Sequence, residues 1–322
     1  MAAKVENIVP AKRVVAISFF VDLIDVAINL TVMVLTGSAV LLAESLQGIS
    51  DLFSVTFVMI GVRRSQKLRD RFHQFGYGRE LYFWALLSAL AFLFASGIPS
   101  LLFGLRRVFA PEPLENMALA YIVLSIAIVT NGYSLFVSSK RLLGGAKLAD
   151  LPLTFWKSPR VETKVTFVRD LMGASAASVG IVSLFLFALT GNQVFDGIGA
   201  ALIGVILIVF ALLLALGVHD LIIGRSAPIG VQIKIRKIIR SHNEVRKILD
   251  FKTMYAGPDT ILVSAEIGVV QAMTAKRIED LVDKIQDEIE LSVPEVRFVD
   301  LQVEKSEASK KERLRERPPS DY

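Results

Sequence analysis

The sequence predicts an all-α six-helix transmembrane domain followed by a small α+β domain of order αββαβ. Three observations carry this. Of the 322 residues 53% are apolar, and the mean hydropathy is +0.55, well above an ordinary soluble chain. The apolar surplus is gathered into six runs, each longer than the roughly 20 residues that cross a bilayer. After His219 the hydropathy falls, and short helical and alternating patterns take over. Together these exclude an ordinary cytosolic enzyme, a disordered chain and a fibrous one.

The runs are 14–35, 38–62, 81–105, 116–139, 166–189 and 197–218; the third, fourth and sixth contain no charged residue. No short apolar stretch with a small-residue cleavage site precedes them, so no cleaved signal peptide is expected. Residues 1–13 are expected to be a cytoplasmic segment and 14–222 the transmembrane domain. Lys4, Lys12 and Arg13 precede the first run. Arg63, Arg64, Lys67, Arg69, Arg71 and Arg79 join the second to the third, and Lys140, Arg141, Lys147, Lys157, Arg160 and Lys164 the fourth to the fifth. The opposite connections carry only Arg106 and Arg107. Basic residues concentrate on the cytoplasmic side of membrane proteins, so both termini are expected there. The same rule accounts for the net charge of +5, and no nucleic-acid partner is expected.

Residues 223–304 read as a small cytoplasmic domain. Val231, Ile235 and Ile238 fall at helical spacing. Leu249, Phe251 and Thr253 alternate, a turn follows at Ala256-Gly257-Pro258-Asp259, and 261–270 reads as a second strand. Ile278, Leu281, Val282, Ile285 and Ile289 mark an amphipathic helix. It ends at Pro294, before a third strand over 296–303. Two helices on one face of one small sheet follow from that order. Residues 305–322 are charged and aperiodic and read as a disordered tail.

Chemistry is sought where charge sits inside a span. Absence of cysteine and a count of three histidines (His73, His219, His242) exclude thiolate and multi-histidine metal sites. Asp51 lies deepest in the second span, with Gln47 one turn before it; Asp170 in the fifth has Thr166 one turn before it. If the two helices face each other, two carboxylates and two neutral oxygens suit a divalent cation. Asp22 and Asp25 share a face and are either proton carriers or partners of basic groups. Glu44 is read as structural, Asn131 as interhelical glue and His242 as an ordinary surface residue. Arg169 lies about 100° round the helix from Asp170 and is expected to reach for the cytoplasmic surface without neutralising the site.

The sequence resembles the cation diffusion facilitator family of zinc and manganese exporters. The resemblance is carried by Thr36-Gly37-Ser38-Ala39-Val40-Leu41-Leu42-Ala43-Glu44-Ser45, by Gln47-Gly48-Ile49-Ser50-Asp51 and by His73-Gln74-Phe75-Gly76-Tyr77-Gly78-Arg79-Glu80. Thr190-Gly191-Asn192-Gln193-Val194-Phe195-Asp196 and Gly257-Pro258-Asp259 extend it over most of the chain. It implies a homodimer of six-span protomers with a metallochaperone-like cytoplasmic domain, and antiport of a divalent cation against protons. It involves no enzymatic step and no cofactor beyond the transported ions. The family's paired motif maps the metal site onto Gln47, Asp51, Thr166 and Asp170. Both aspartates are kept. Both first positions depart from the usual His, Asp or Asn, which hardens the site and disfavours zinc relative to manganese or iron(II). Any metal sensing in the cytoplasmic domain would fall to Asp259, Glu266 or Asp300. The expected location is a prokaryotic plasma membrane, the partners membrane lipid and a second copy. A transport-poor dimer partner and a membrane scaffold are the competing readings.

Overall fold

The computed structural model describes residues 11–270 and 273–305, with side chains from Asp22 to Glu304. The N-terminal segment before residue 11 and the tail after 305 lie outside the described residues. The chain divides into two compact units: Met1–Arg64 with Glu80–His219, and Ser65–Arg79 with Asp220–Tyr322.

The first unit is helical throughout: α1 Ala11–Thr36, α2 Ala39–Ser65, α3 Glu80–Ala91, α4 Ile98–Phe109, α5 Met117–Leu143, α6 Leu151–Lys157, α7 Val161–Thr190 and α8 Val194–Ile223. One π-helical turn over Phe92–Gly97 fuses α3 and α4 into a single 30-residue rod. Among the described residues five helices are long and apolar enough to cross a membrane: α2, the fused α3–α4, α5, α7 and α8. Their surfaces fit that setting. Leu102, Val129, Phe136, Phe185 and Leu216 are all exposed although apolar, the arrangement expected where lipid tails are the solvent.

Packing relies on small residues. A Cβ on Gly104 would stand 2.2 Å from the backbone N of Ala201, and one on Gly204 2.3 Å from that of Leu101. The α4 and α8 backbones therefore touch where any side chain would wedge them apart. Gly48 brings α2 against α1 in the same way, its absent Cβ lying 2.7 Å from Val26 Cγ2. That contact fixes the register of the two antiparallel helices. One turn beyond Val26 stands Asn29, and one turn before it Asp22.

A polar knot ties the start of α2, the end of α4 and the start of α8 together. The Asp196 carboxylate, fully buried at the start of α8, accepts from Ser38 Oγ at 2.6 Å, Ala39 N at 2.7 Å and Val40 N at 3.1 Å. It thereby caps α2 from another helix, placing negative charge where the α2 amides are unpaired. Arg107 Nε lies 3.5 Å from it, and the same guanidinium donates to Glu112 and to the Gly37 carbonyl.

The second unit is the αββαβ domain: α9 Ile229–Ser241, β1 Val245–Gly257, β2 Thr260–Val269, α10 Ala275–Ser292 and β3 Val296–Lys305. β2 is central, antiparallel to β1 and parallel to β3; the parallel pair needs the α10 crossover. Ile261, Val263, Ala265 and Ile267 along β2 are buried, as are Ile235 and Ile239 of α9 and Leu281, Ile285 and Ile289 of α10. The expected order and helical faces are therefore present. The connection 65–79 belongs to this unit. Phe75 meets Phe298 edge-on at 5.3 Å, and Arg79 donates towards Met254 Sδ at 2.9 Å. Asp70 organises it, accepting from Tyr77 OH at 2.6 Å, His73 N at 2.8 Å and Phe72 N at 2.9 Å. These bonds, Tyr77's first, hold its carboxyl down at about 2.

Candidate transport site

Three helices of the first unit bring acids together. α2 carries Gln47, 3% exposed, and Asp51, half-buried, one turn apart. α7 carries Asp170, 5% exposed, while the nearby Ser138 hydroxyl of α5 donates to the Leu135 carbonyl at 3.2 Å. α1 supplies Asp22. Asp51 interacts electrostatically with Asp22, Asp170 and Arg169. The two aspartates singled out in the sequence thus share one neighbourhood with a third that the sequence left undecided.

Arg169 departs from expectation. It does not leave for the cytoplasmic surface: Nη1 is 3.9 Å from Asp22 Oδ2 and Nη2 3.6 Å from Asp170 Oδ1. The offset of 100° about the helix fixes the Cα–Cβ direction only, and an arm of this length can fold back to carboxylates on either side. Asp22 is accordingly the partner of a basic group, one of the two roles considered for it. Asp25 is tied to Asn29, whose Nδ2 lies 3.2 Å from Asp25 Oδ2.

Several buried oxygens here are unsatisfied. Among the described residues Asp22 Oδ2, Gln47 Oε1, Asp51 Oδ1 and, higher on the same face of α2, Glu44 Oε1 have no hydrogen-bond partner. Buried acceptors are normally paired, so an α2 face carrying three such oxygens, from Glu44, Gln47 and Asp51, is suited to a cation. Glu44 at 6% exposure is part of that column. Thr166 is less committed, its hydroxyl donating to the Glu162 carbonyl at 2.9 Å; its lone pairs remain. Among the described residues no three His, Asp or Glu side chains converge tightly enough to grip an ion by themselves. That holds for the soluble domain too, including Asp259, Glu266 and Asp300.

Sequence reasoning missed the inward turn of Arg169. It also misplaced His242, which is buried at 8% exposure with Nε2 3.0 Å from Glu288 Oε2, because α10 covers it. Asn131 packs on Gly173, its Oδ1 2.7 Å from where a Cβ would stand, which fits its reading as interhelical packing.

Residues 15–218 match the family model "Cation efflux transmembrane domain", and 231–306 the "Cation efflux protein, cytoplasmic domain". The chain belongs to the cation efflux family. The first of these models describes a membrane domain, in keeping with the long apolar helices of the first unit. Among curated relatives it is 23% identical to metal tolerance protein C4 of Arabidopsis thaliana over 80% of this chain and 57% of that protein. It is 25% identical to the mouse proton-coupled zinc antiporter SLC30A9, mitochondrial, over 88% and 51%. Over 37% of this chain it is 30% identical to 39% of the cation-efflux pump FieF of Shewanella oneidensis. The chain thus spans only a little over half the length of the first two. A solved MamM CTD structure in a nickel form aligns with 24% of this chain and 98% of its own, at 19% identity and a TM-score of 0.23.

Proposed function

We propose that this protein is a proton-coupled antiporter that exports a divalent cation through a site centred on Asp51 and Asp170, with Gln47 and Thr166 as neutral ligands. The observation that carries the reading is the gathering of Asp22, Asp51 and Asp170 from three helices, with buried oxygens left free for an ion. With the site open to the cytosol the carboxylates take the cation. In the outward-open state protons compete for the same oxygens and release it. The cargo is zinc, manganese or iron(II); the antiporter relatives are named for zinc, while the amide and hydroxyl positions favour the harder ions.

The remaining assignments belong to the same proposal. α1 is the sixth span, residues 14–222 form the transport domain and 223–304 the cytoplasmic one. Both termini face the cytoplasm, and the membrane is a prokaryotic plasma membrane. The dimer forms partly through the cytoplasmic domain, a reading supported by the word dimer in the name of the family model that domain matches.

The experiment is uptake of zinc, manganese and iron(II) into proteoliposomes at two proton gradients. Asp51→Ala and Asp170→Ala should abolish uptake, because a divalent ion in a partly dehydrated site needs both charges. Wild-type uptake by both variants rejects the site. Wild-type uptake that ignores the proton gradient rejects antiport. The second reading, a transport-poor dimer partner, is favoured by Arg169 among the acids, and an inactive wild type would establish it.

A further inference from the structure

The acidic meeting point of α1, α2 and α7 already holds a cation belonging to the chain. We propose that Arg169 is the resident counter-cation of the transport site, setting the net charge that a cargo ion meets and therefore how tightly the ion is held. The inference rests on the transport reading above and adds to it a residue outside the paired motif.

Geometry comes first. The guanidinium reaches two carboxylates on two helices, Asp22 on α1 and Asp170 on its own α7, through one nitrogen each. Contacts of 3.9 and 3.6 Å are longer than the 2.7–2.9 Å typical of a charge-assisted hydrogen bond, and neither is a bidentate fork. The side chain is 25% exposed. It is held loosely, by attraction more than by directed bonds, and can yield as an ion enters. Asp51 Oδ1 has no hydrogen-bond partner and no ion pair with Arg169, so the guanidinium balances charge without filling that acceptor.

Charge arithmetic follows. Asp22, Asp51 and Asp170 all act on Arg169. Three carboxylates and one guanidinium sum to −2, which one divalent ion neutralises. Without the guanidinium the sum is −3. Arg141 of α5 also acts on Asp170 but makes no ion pair there among the described residues. Lys164, the other nearby base on α7, is turned to the Gly217 carbonyl at 3.4 Å and the Phe155 ring. Arg169 therefore weakens cargo binding in the resting site, which favours release and hence turnover. A unit charge within a few ångströms of a divalent ion in a partly buried site changes affinity by at least about tenfold.

The test is equilibrium binding to the purified full-length protein in detergent, with manganese followed by electron paramagnetic resonance of the free ion and zinc by calorimetry. Arg169→Gln should bind both at least tenfold more tightly than wild type. Arg169→Lys, which keeps the charge, should stay within about threefold of wild type. Asp22→Asn should bind more weakly. Tightening is informative because structural damage weakens a site. Unchanged or weaker binding by Arg169→Gln, in protein that elutes and melts like wild type, overturns the inference while leaving the transport reading intact. If wild type binds neither ion but Arg169→Gln does, Arg169 is the resident cation and the transport reading fails. If neither protein binds, both fail.

Discussion

Asp196→Ala should loosen the junction of α2, α4 and α8. The carboxylate is fully buried and accepts from one hydroxyl and two backbone amides at 2.6–3.1 Å, with Arg107 Nε at 3.5 Å. Its loss leaves the first amides of α2 without an acceptor and strips a guanidinium that is 7% exposed of one of its two carboxylates. Each buried donor left unpaired costs roughly 1–3 kcal/mol, and removing one partner of a buried ion pair costs roughly 3–5 kcal/mol. The two figures describe the same carboxylate and do not add. Glu112 still holds Arg107, which argues for the lower end, about 3 kcal/mol. Asp196→Asn keeps an acceptor for Ser38 and should lose about half as much. The assay is reversible unfolding in mixed micelles, followed by the fluorescence of Trp84 and Trp156, with Arg107→Met completing a double-mutant cycle. A coupling of at least about 1 kcal/mol between positions 107 and 196 is expected. Loss below about 1 kcal/mol for Asp196→Ala, together with simple additivity in the cycle, would refute the reasoning.

Glu44→Gln should leave dimerisation intact and slow manganese uptake several-fold, since it replaces a carboxyl that can ionise onto an entering cation with an amide in the oxygen column of α2; unchanged uptake makes Glu44 a packing residue only. Asp70 should stay ionised to low pH. Its carboxyl lies below the unfolded value, so the order it gives 70–77 is fully present above about pH 4 and is lost as pH falls through about 2. Carbon NMR titration of labelled Asp checks this, and a midpoint near 4 contradicts it. Single cysteines at Ala3, Ser309 and Asn192, introduced into a chain that has none, should label from the cytoplasmic side at the two terminal positions and from the other side at Asn192. The isolated domain 227–306 should fold and self-associate in sedimentation, and a strict monomer at high concentration contradicts the dimer assignment.

What the sequence made legible was set by short-range periodicity. Uncharged runs marked three spans unambiguously, and the i, i+3, i+4, i+7 spacing of Ile278, Leu281, Val282 and Ile285 marked α10 within a few residues. The αββαβ succession of the second unit followed from turns and alternation, while the place of each strand in the sheet did not. Asp51 and Asp170 stood out because charge within a span is rare. The rest was invisible because it joins residues far apart along the chain. Ser38 and Asp196 are 158 residues apart, and nothing local to either announces the bond. His242 looked superficial because its cover, Glu288, lies on a helix 46 residues later. Arg169 was misjudged because backbone phase says little about where a long flexible side chain ends. The connection 65–79 carries basic residues typical of a cytoplasmic loop, yet its Phe75 and Arg79 are spent on β3 and β1.

The π-helical turn in the third rod acts as a phase shifter. Residues 92–97 hold one residue more than a regular helix would, which turns the two halves about 100° relative to each other. The lower half can then point Leu81, Ala85 and Ser88 inward, Ser88 towards the Ser54 carbonyl, while the upper half points Gly104 at α8. Deleting one residue from 92–97 would restore a regular spiral and satisfy only one of these contacts. An insertion elsewhere in the rod would damage both. A tryptophan scan along 80–109 should therefore show two tolerant stripes, out of step with each other at the turn. The rod is in effect two helices sharing one backbone, each committed to a different neighbour.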